Sequence, residues 1–592
     1  ICNCFRRQEI SQRSILYNND KSMKHKIWKL KPSPDVQKIF ELKKSLGVSK
    51  KICTLLLDRG IDTFEKAKTF FRPQLSMLHD PFLMKDMDKA VSRLLKAMSS
   101  KEQIRVYGDY DVDGTTSVSM MYLFLKSQNA KCDYYIPDRD SEGYGISYKG
   151  IDDAIDKGMT LMISLDCGIK AVEKVAYAKS KGLDLIICDH HRPGARLPEA
   201  CAVLDPKRVD CTYPFKELCG CGVGFKLIQA YLKHQGLDET IAFKYLDLVA
   251  VAIGADIVPI VEENRVLAFY GLKHLNENPR IGMKALMREH KHFGAMNITD
   301  VVFTIAPRIN AAGRMKHAHN AVSLLIEQNE EQAVKTANEI EEYNTERRSE
   351  DQRIAKEALV QIKEQKEEES ASTVVYHPEW HKGVIGIVAS RLTETYYRPT
   401  VVFTKSKEYL VASVRSVKGF DVFEALEACS SYIEQFGGHK YAAGLSIREE
   451  NYELFKSAFD KVVSERITEA QKTEVIEIDA ELDFSDITTG FNNILKQFEP
   501  FGPENMAPLF RTKNVLDRGY SKAVGPQNEH LKLHMCTEKE KLAEMNGIAF
   551  KLGSYAEYVV KGLAFDICYA IQENEWKGKR SIQLAVKDIK TL

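Results

Sequence analysis

Short apolar runs alternate with amphipathic stretches between residues 101 and 258. The runs at 104–107, 161–165 and 183–188 have the length of buried strands, whereas 115–125 and 169–180 carry apolar residues at helical spacing. Strands that are separated by helices of this length predict a parallel sheet with helices on both of its faces. In such a sheet, ligands bind outside the carboxyl ends of the strands.

A long charged segment follows this region. Residues 331–370 contain neither Pro nor Gly, and Val334, Ala337 and Ile340 begin a row of apolar residues at helical spacing. If it is continuous, this helix would be a rod about 60 Å long. We expect a solvated, charged helix that links two lobes of the protein.

The pattern changes again after the charged segment. Residues 373–464 resume the alternation of strands and helices, and residues 472–592 contain short alternating strands separated by turns. Several short strands with little helix are typical of a small barrel. The chain therefore contains several structural units.

The composition is that of an ordinary soluble protein. The chain has 592 residues, of which 44% are hydrophobic and 28% are charged, and its formal net charge is +1. This charge neither requires nor excludes nucleic acid, because binding depends on local stripes of Lys and Arg. No apolar run reaches the length of a membrane span, so we expect no membrane partner and a cytoplasmic location.

The cysteines and the first residues carry little functional signal. The 13 cysteines are scattered and odd in number, which favours a reducing cytosol. Cys211, Cys219 and Cys221 could be part of a zinc cluster, but no fourth soft ligand lies at finger-like spacing, so buried thiols are the favoured interpretation. Met23 resembles a natural start, and we expect the residues before it to be a disordered or artefactual extension.

Acidic and imidazole side chains stand where the predicted strands end. So many charges at neighbouring strand ends cannot lie together without a cation, because unpaired buried carboxylates are strongly unfavourable. The sequence therefore predicts a metal site and a hydrolase. The residues are Asp109, Asp111 and Asp113 after the first run, Asp166 after the second, Asp189, His190 and His191 after the third, and Asp256 after an apolar helix-like run and an Ala-Ile-Gly-Ala turn.

The types of ligand favour Mg²⁺ or Mn²⁺. Oxygen-rich sites with one or two imidazoles suit these ions better than zinc. Two such ions about 4 Å apart can activate water and neutralise both reacting oxygens of a phosphodiester, with Asp166 as the bridging carboxylate. Adjacent residues on an extended chain face opposite ways, so His190 is assigned to a metal and His191 to the scissile phosphate or the leaving oxygen.

One other interpretation of the first motif is a calcium loop. The run Asp109–Gly114 has the Asp-x-Asp-x-Asp-Gly spacing of such loops. It follows a strand and lacks the Glu at the twelfth position of an EF-hand loop, so this interpretation is disfavoured. Asp166 or either histidine alone would be unremarkable, and only their joint occurrence supports the metal site.

These motifs resemble those of the DHH phosphoesterase superfamily. The matching residues are Asp109–Gly114, Asp166-Cys-Gly168, Asp189-His190-His191 and Gly254-Ala-Asp256. The longer pattern resembles the RecJ family of single-strand-specific exonucleases, through Pro137–Arg139 with Glu142–Gly145, Pro307–Arg314, Ser413–Ser416, Gly437–His439 and Ala443-Gly444. Pyrophosphatase-type relatives carry a His in the first motif where this chain has Tyr107, so one metal site would rely on carboxylates such as Asp109.

The resemblance implies a multidomain α/β protein. It predicts an N-terminal extension (1–45), a doubly wound parallel-sheet DHH catalytic domain (46–275), a helical region with the connecting helix (276–370), a smaller α/β DHH-associated domain (371–466) and a C-terminal OB-fold β-barrel (467–592). The predicted metal ligands are Asp109, Asp111, Asp113, Asp166, His190 and Asp256, and the predicted catalytic residues are His191 and Asp166.

The substrate would be gripped by residues from two lobes. Arginines spread in this way suit guanidinium forks that hold phosphates across a cleft. The resemblance implies that Arg139, Ser413 and Arg415 hold a terminal 5′ phosphate, while the glycines near 438 let a strand approach closely. The predicted substrate-binding set is Arg139, Arg308, Asn310, Arg314, Ser413, Arg415, Gly438 and His439. Barrel candidates outside this set are Tyr520, Trp576, Lys577 and Arg580.

The resulting hypothesis is a bacterial, Mn²⁺- or Mg²⁺-dependent exonuclease that degrades single-stranded DNA from its 5′ end in repair and recombination. The family suggests single-strand-binding protein and a RecQ-type helicase as partners, and a monomeric state. Two alternatives stay open at this point: a DHH phosphodiesterase for short oligonucleotides or cyclic dinucleotides, and an inactive DNA-binding relative. The second alternative predicts eroded metal ligands, whereas all six are present.

Overall fold

The computed structural model describes residues 26–288, 294–537, 539, 543–576 and 578–592. Most of the predicted N-terminal extension, Met23 included, lies outside the described residues, as do Lys577 and the side chain of Trp576. The strands are β1 (Ile27–Leu30), β2 (Gln103–Gly108), β3 (Lys131–Tyr135), β4 (Leu161–Leu165), β5 (Asp184–Cys188), β6 (Ala202–Leu204), β7 (Thr373–Tyr376), β8 (Thr400–Ser406), β9 (Tyr409–Arg415), β10 (Gln435–His439), β11 (Ala442–Ile447), β12 (Val475–Ile478), β13 (Ala480–Glu481), β14 (Phe510–Asp517), β15 (Lys522–Val524), β16 (His530–Thr537), β17 (Met545–Ala549), β18 (Phe565–Trp576) and β19 (Lys579–Thr591).

The helices fill most of the intervals between these strands. They are α1 (Val36–Leu46), α2 (Lys50–Leu57), α3 (Phe64–Phe71), α4 (Met87–Ser99), α5 (Val112–Ser127), α6 (Tyr148–Asp156), α7 (Val172–Ser180), α8 (Gly220–His234), α9 (Leu246–Ala255), α10 (Glu262–Glu277), α11 (Ile281–Arg288), α12 (Ile298–Asp300), α13 (Ala306–Met315), α14 (His319–Ile326), α15 (Glu330–Glu364), α16 (Ile385–Tyr396), α17 (Val422–Ala428), α18 (Tyr452–Arg466), α19 (Thr489–Lys496) and α20 (Ala556–Val560). A π-helical turn, Val301–Ile305, joins α12 to α13.

The first large sheet is parallel throughout, as the sequence predicts. Its strand order is β3-β2-β4-β5-β6. β4 is buried at every position, because helices cover both faces of a parallel sheet. The core that contains α5, α8 and α9 covers one face, and a second core that contains α6 and α7 covers the other. The doubly wound fold class is therefore confirmed.

Two local predictions in this domain need correction. The segment at 169–180 is helical only from Val172, because the chain turns at Ile169 and Lys170 before the helix begins. The Ala-Ile-Gly-Ala segment before Asp256 is not a turn: α9 continues through Ala255, and Asp256 is its C-terminal capping residue. The run is apolar on all sides because α9 is buried between other helices.

The charged segment forms one helix, α15, of 35 residues, which makes it about 52 Å long. It links two domains as predicted, but it is not solvated on every side. Ala333, Ala337 and Ile340 belong to the core of the catalytic domain. Ile354 and Ile362 belong to a separate core with α16 and β7. The helix thus holds two domains through two buried patches on one charged rod.

The second domain is built on a mixed sheet of order β10-β11-β9-β8-β7. Only the β7–β8 pair is parallel, and the other neighbours are antiparallel. α17 and α18 pack on one face through a core that includes Phe455 and Phe459, while α16 packs on the other. The hairpin of β10 and β11 is at the free edge of this sheet.

The C-terminal domain is a closed β-barrel, as predicted. Its strands run in the order β13-β14-β18-β19-β17-β16-β15, and pairing of β14 with β16 closes the barrel. The N-terminal helices share its core, through residues such as Ile39 and Leu56. β1 also pairs with β12, so residues 27–71 pack with the barrel although the predicted boundaries assign 46–71 to the catalytic domain. Those boundaries stay predictions.

The described residues contain no helix that is long and apolar enough to span a membrane. The described cysteines are free thiols, and Cys211, Cys219 and Cys221 are buried. Cys219 caps the N-terminus of α8 by accepting a hydrogen bond from the Gly222 amide, and the Cys221 sulfur lies 3.9 Å from that of Met120. These contacts are those of packing residues, as the sequence favours.

Candidate metal centre and active site

The acidic motifs meet where the strand order of the parallel sheet reverses. From β2 the chain crosses to β3 on one side and then returns to β4 on the other side of β2. The loop with Asp109 and Asp111 leaves the carboxyl end of β2, and Asp166 follows the last residue of β4. Diverging connections at such a point open a crevice for ligands. The predicted site therefore lies in the crevice that this topology creates.

Asp113 is fixed by the N-terminus of a distant helix. Its Oδ2 accepts a 2.6 Å hydrogen bond from the Gly220 amide and its Oδ1 a 2.7 Å bond from the Cys221 amide, both at the start of α8. These amides lack partners within the helix, and the helix dipole favours a negative charge there. Burial, followed by repulsion from Asp111, nevertheless raises the pKa of Asp113 to about 7. Its ionised form needs a further positive charge.

Asp166 has a strained backbone and a close neighbour. Its φ of 59° lies in the left-handed region, which residues with a Cβ rarely adopt. A Cβ on Gly220 would lie 2.6 Å from the Asp166 Cβ, so only glycine allows this approach. The Asp166 Oδ1 is buried without a hydrogen-bond partner, and burial, with repulsion from Asp113, raises the pKa of this carboxyl well above its usual range. The strain holds an unpaired oxygen in the crevice.

His190 lies among three of the carboxylates. Its Nε2 is 3.1 Å from Asp166 Oδ1, 3.5 Å from Asp256 Oδ2 and 3.9 Å from Asp113 Oδ2. Burial lowers the pKa of His190 to about 3, so the imidazole is neutral at pH 7 and its lone pair is available to a metal. Asp113, His190 and Asp256 offer ligand atoms within 4.8 Å of one another. This arrangement suits a divalent cation.

Asp109 and Asp111 line the same crevice. Asp109 accepts a 3.4 Å hydrogen bond from the Gly145 amide through Oδ1, and its buried Oδ2 has no partner. Burial, with repulsion from Asp111, raises the pKa of Asp109 well above its usual range. Asp111 caps α5 by accepting a hydrogen bond from the Gly114 amide at 3.0 Å. Neither residue is in the tight ligand groups, so their predicted role as metal ligands stays a prediction.

The donor set of the pocket fits Mg²⁺ or Mn²⁺. Several carboxylates with raised pKa values surround one neutral imidazole, and two of their oxygens are buried without a partner. Oxygen ligands with an imidazole suit these ions, whereas a structural zinc site would need thiolates. Both groups of potential ligands among the described residues consist of Asp and His alone. The alternative of a cysteine zinc cluster is therefore not supported.

His191 is oriented by a buried carboxylate. Its Nδ1 lies 2.7 Å from Asp189 Oδ1, and its Nε2 lies 3.2 Å from the Tyr144 hydroxyl. Burial would raise the pKa of Asp189, but hydrogen bonds from His191 and from backbone amides such as that of Ile169 outweigh it and lower this pKa to about 2. Burial would lower the pKa of His191, and the ionised Asp189 raises it instead. The pair keeps the Nε2 edge directed toward the crevice.

The two histidines do not face opposite ways. Their ring centroids are 4.5 Å apart, and His191 forms a second potential ligand group with Asp166 and His190. Adjacent side chains point in opposite directions only on an extended chain, and here the chain has left β5 and bends at His191. What separates the two imidazoles is their partners: carboxylates of the pocket surround His190, whereas Asp189 and Tyr144 hold His191.

Three predicted arginines cluster above this pocket. Arg139 lies over the Tyr110 ring at 5.2 Å, Arg314 donates to the Gly383 carbonyl at 3.0 Å, and Arg415 donates to Ser413 Oγ at 3.1 Å. Burial, followed by the charge of Arg139, lowers the pKa of Arg314 to about 10 and that of Arg415 below its usual range. None of the three forms an ion pair with a described acid, so the cluster has uncompensated positive charge from both lobes.

Arg308 and Asn310 differ from this cluster. The Arg308 Nε lies 2.5 Å from a carboxylate oxygen of Glu341, and its NH1 donates to the Thr304 carbonyl at 2.7 Å. These contacts attach α13 to α15, so Arg308 is paired with an acid, unlike the three arginines of the cluster. Asn310 is half-buried one helical turn before Arg314 on α13. Their predicted substrate roles stay predictions, and the contacts of Arg308 favour a structural role.

The glycine-rich hairpin faces the catalytic domain across the cleft. Gly438 has a φ of 145°, and a Cβ there would lie 2.5 Å from the Ala442 carbonyl oxygen. Gly437 is exposed with open space where a Cβ would be, which leaves room for a strand. Burial, followed by the charges of Lys170 and His191, lowers the pKa of His439. His439 is therefore near His191 although it comes from the other domain.

Three features of the site were not predicted from the sequence. The Gly220 and Cys221 amides hold Asp113 from 107 and 108 positions away, and a backbone donor has no residue signature. Tyr144 lies in the motif Glu142–Gly145, but the sequence does not predict its contact with His191. Tyr107 donates to the Gly145 carbonyl at 2.9 Å and stacks on Tyr135, so it belongs to the core rather than to the metal pocket.

Comparisons with known proteins agree with this geometry. Residues 103–253 match the model of the DHH family, N-terminal domain, 370–465 match the DHHA1 domain, and 478–588 match the RecJ OB domain. The single-stranded-DNA-specific exonuclease RecJ of Bacillus subtilis is 37% identical over 558 residues, which cover 94% of this chain and 70% of that protein. Its counterpart from Escherichia coli is 34% identical over 526 residues, covering 85% of this chain and 90% of that protein.

Solved structures of RecJ exonucleases are also similar to this chain. RecJ from Thermus thermophilus in complex with Mn²⁺ has a TM-score of 0.82 and 25% identity, covering 96% of this chain and 80% of that chain. An exonuclease RecJ bound to manganese has a TM-score of 0.58 and 30% identity, covering 67% of this chain and 97% of that chain.

Proposed function

The chain belongs to the RecJ family of single-stranded-DNA-specific exonucleases, and we propose that it hydrolyses single-stranded DNA from the 5′ end with two divalent cations. The observation that carries the proposal is the position of an acidic metal pocket beside unpaired arginines. Cations held by the pocket would neutralise a phosphodiester during attack by water, and the arginines can hold a terminal phosphate next to it. A strand end supplies both a terminal phosphate and a neighbouring phosphodiester.

The metal pocket would be formed by Asp109, Asp111, Asp113, Asp166, His190 and Asp256. Bound Mn²⁺ or Mg²⁺ would supply Lewis acidity and lower the pKa of a bound water. His190 belongs to both groups of potential ligands and Asp166 to one of them, and the buried Asp166 Oδ1, which has no hydrogen-bond partner, lies 3.1 Å from His190 Nε2, which supports a role for Asp166 in holding the ions. The amides at the start of α8 keep the Asp113 carboxylate oriented before any ion binds.

His191 would act on the substrate rather than hold the scaffold together. Asp189 accepts a hydrogen bond from Nδ1–H and stabilises the protonated ring, so Nε2 can donate a hydrogen bond to the scissile phosphate or to the leaving oxygen. The Tyr144 hydroxyl lies 3.2 Å from this Nε2. A phosphate oxygen would replace that hydroxyl when the strand binds.

The direction of degradation would follow from the arginine cluster. A terminal 5′ phosphate carries more negative charge than an internal phosphodiester, and among the described residues no acid forms an ion pair with Arg139, Arg314 or Arg415. Arg314 and Arg415 donate instead to neutral oxygens. The Ser413 hydroxyl accepts from Arg415 and can donate to the same phosphate. The strand would then pass between His191 and the hairpin with Gly437 and His439, where the absent side chains of glycine leave space.

The alternatives are less well supported. A phosphodiesterase for short oligonucleotides or cyclic dinucleotides does not need the C-terminal barrel, which matches the RecJ OB domain here. An inactive relative does not need five carboxylates around one histidine. Single-strand-binding protein, a RecQ-type helicase, a monomeric state and a bacterial cytoplasmic location stay predictions of the family resemblance.

The experiment that tests the proposal is a time course on single strands labelled at one end or the other, with Mn²⁺ and with EDTA. A 5′ label should appear at once as a mononucleotide, whereas a 3′ label should pass through a ladder of shortened strands. EDTA should stop both reactions. Equal laddering from both labels, or cleavage in EDTA, would contradict the proposal, and rapid cleavage of short strands alone would favour the oligonucleotide alternative.

A further inference from the structure

The chain that follows Asp256 takes a strained path to the next helix. Asp256 caps α9, and residues 257–261, which we call the connector, form neither helix nor strand before α10 begins at Glu262. Ile257 has a φ of 58°, in the left-handed region that a β-branched residue rarely adopts. Its side chain is 67% exposed, so its own packing does not impose this conformation. Such strain persists only where the surroundings determine the path of the chain.

The connector is held by the C-terminal domain. The Ile260 amide donates a 2.8 Å hydrogen bond to the Pro503 carbonyl, and the Ile260 side chain is fully buried. A Cβ on Gly502 would lie 2.4 Å from Ile260 Cγ1, so the two segments approach as closely as glycine allows. On the other side, Asn264 of α10 donates to the Pro259 carbonyl at 3.0 Å. The chain after a predicted metal ligand is thus packed between its own domain and another one.

Residues 498–505, which we call the brace, are tied together by their own hydrogen bonds. Gly502 and Asn505 exchange backbone hydrogen bonds of 3.1 and 2.9 Å. The Asn505 side chain is buried, and its Nδ2 donates to the carbonyls of Phe498 at 2.8 Å and Pro500 at 2.9 Å. A buried amide whose donors are satisfied in this way fixes the conformation of a loop. The brace can therefore resist movement of the connector.

A buried arginine attaches the brace to α10. Arg265 donates to the carbonyls of Gln497 at 3.1 Å and Phe498 at 2.8 Å. Its guanidinium also lies 3.9 Å from the centroid of the Phe70 ring on α3. No acid in the described part of the chain forms an ion pair with Arg265, and burial, followed by the charge of Arg59, lowers its pKa to about 10. Because a buried charge is costly without its hydrogen bonds, separation of α10 from the brace is unfavourable.

We propose that the brace is a positioning element of the metal pocket: it fixes Ile260, and through the connector it sets where the Asp256 carboxylate lies. Only residues 257–259 separate Asp256 from Ile260, and the Asp256 carboxylate is 3.5 Å from His190 Nε2. This inference rests on the proposed function, in which Asp256 is a metal ligand. The affinity of the pocket for Mn²⁺ then depends on the docking of the C-terminal domain, whereas Asp113 is held by amides of its own domain.

The alternative is an ordinary contact between two domains. Such a contact would stabilise the fold and leave the pocket unchanged. Contacts that orient a metal ligand from outside typically change metal affinity about tenfold to a hundredfold when they are lost. The two possibilities therefore differ in metal affinity, measured separately from stability.

The test measures Mn²⁺ binding to the full chain after treatment with EDTA and dialysis. Free Mn²⁺ is followed by electron paramagnetic resonance during the titration, and the melting temperature of the metal-free chain is measured alongside. The variants are Gly502→Ala, which presses a methyl group against Ile260, and Asn505→Ala, which adds no bulk and serves if the first variant does not fold. The controls are Gly490→Ala, whose Cβ would meet its nearest neighbour at 3.8 Å, and Leu533→Ala, a core residue of the barrel outside the brace.

Gly502→Ala should bind Mn²⁺ at least about tenfold more weakly than the wild type, because the Asp256 carboxylate is displaced. Asn505→Ala should change the affinity in the same direction. In both variants, excess Mn²⁺ should restore much of the rate of strand hydrolysis, since the ligands themselves are intact. Leu533→Ala should lower the melting temperature, because it leaves a cavity in the barrel core, yet bind Mn²⁺ like the wild type. Gly490→Ala should match the wild type in both measurements.

Wild-type affinity for Mn²⁺ in both brace variants would overturn the inference. An equal loss of affinity in Leu533→Ala would also overturn it, because the effect would then follow from lost stability of the C-terminal domain. Failure of the proposed function has a different signature: the wild type would hydrolyse neither end-labelled strand in Mn²⁺, while Gly502→Ala would still bind Mn²⁺ more weakly than the wild type.

Discussion

The metal pocket and the arginine cluster hold their charges in opposite ways. In the pocket, carboxylates are buried, and Asp113 is fixed by two amides at the start of α8. In the cluster, the guanidiniums of Arg314 and Arg415 donate to neutral oxygens only. The pocket has an excess of negative charge and the cluster an excess of positive charge, and no ion pair among the described residues joins the two, although the charge of Arg139 acts on Asp109 and that of Asp111 on Arg314.

This difference corresponds to two different ligands. Ions of small radius require oxygens at fixed positions, so the pocket is organised before binding, at the cost of the strained φ of Asp166. A phosphate accepts hydrogen bonds from many directions, so the cluster needs donors that are free rather than rigid. The pocket should therefore be sensitive to small displacements and the cluster to loss of charge, which variants can test separately.

The largest effect is expected for Asp113→Ala. Loss of this ligand should reduce hydrolysis of a single strand at least about a thousandfold, the equivalent of roughly 4 kcal/mol of transition-state stabilisation. Binding of the strand in EDTA should be retained. Asp88→Ala is the matched control, because Asp88 is also an acid in the first turn of a helix but lies on the exposed surface of α4. Turnover near the wild-type rate would show that Asp113 is not a metal ligand.

The second prediction concerns the rigidity of the pocket. In Gly220→Ala, the new Cβ would lie 2.6 Å from the Asp166 Cβ and must displace either β4 or α8. We expect about a hundredfold loss of turnover, since a displacement near 1 Å at reacting groups has effects of this size. Gly222→Ala, on the same helix, meets its nearest neighbour only at 3.4 Å and should keep most activity. Equal activity of the two variants would show that the pocket tolerates movement.

The sequence predicts the parts of this site that depend on local patterns. Apolar runs followed by Asp109 and Asp166 mark strand ends, and the rule for ligands in parallel sheets brings those ends together. The contact of Asp113 with the start of α8 could not be predicted, because its donors are backbone amides 107 and 108 residues away. Arg308 and Arg314 are similar in the sequence, and only the position of Glu341 on α15 distinguishes them.

The third prediction separates those arginines. Arg415→Gln should reduce the preference for a 5′-phosphorylated end about tenfold to a hundredfold, because it removes a charged hydrogen bond to phosphate. Arg308→Gln should leave this preference unchanged and lower the melting temperature, since it breaks the contact with Glu341. The measurement is the ratio of hydrolysis rates for phosphorylated and unphosphorylated strands. Loss of the preference for a 5′-phosphorylated end in Arg308→Gln would show that Arg308 contacts the substrate.

The smallest effect is a pH dependence of the metal-free pocket. Burial, with repulsion from Asp111, raises the pKa of Asp113 to about 7, and burial, with repulsion from Asp113, raises that of Asp256 to about 8. Between about pH 4 and 8 these two carboxyls therefore bind more protons in the folded chain than in the unfolded chain, so their contribution to stability falls as pH rises through this window. His190 acts in the opposite direction below about pH 6.5, because burial lowers its pKa to about 3, but it is one group against two. Asp189 acts in the opposite direction, but its pKa of about 2 confines its contribution to lower pH.

In EDTA, the melting temperature should therefore fall by at least about 2 °C between pH 5 and 8. Mn²⁺ should reverse the trend, because the cation binds the ionised carboxylates, which become more numerous as pH rises. Asp113→Asn should flatten the EDTA profile, since it removes one of the titrating groups without changing its size. A melting temperature that rises with pH in EDTA would mean that these carboxylates are already neutralised within the protein, and the contrast between pocket and cluster would lose its electrostatic basis.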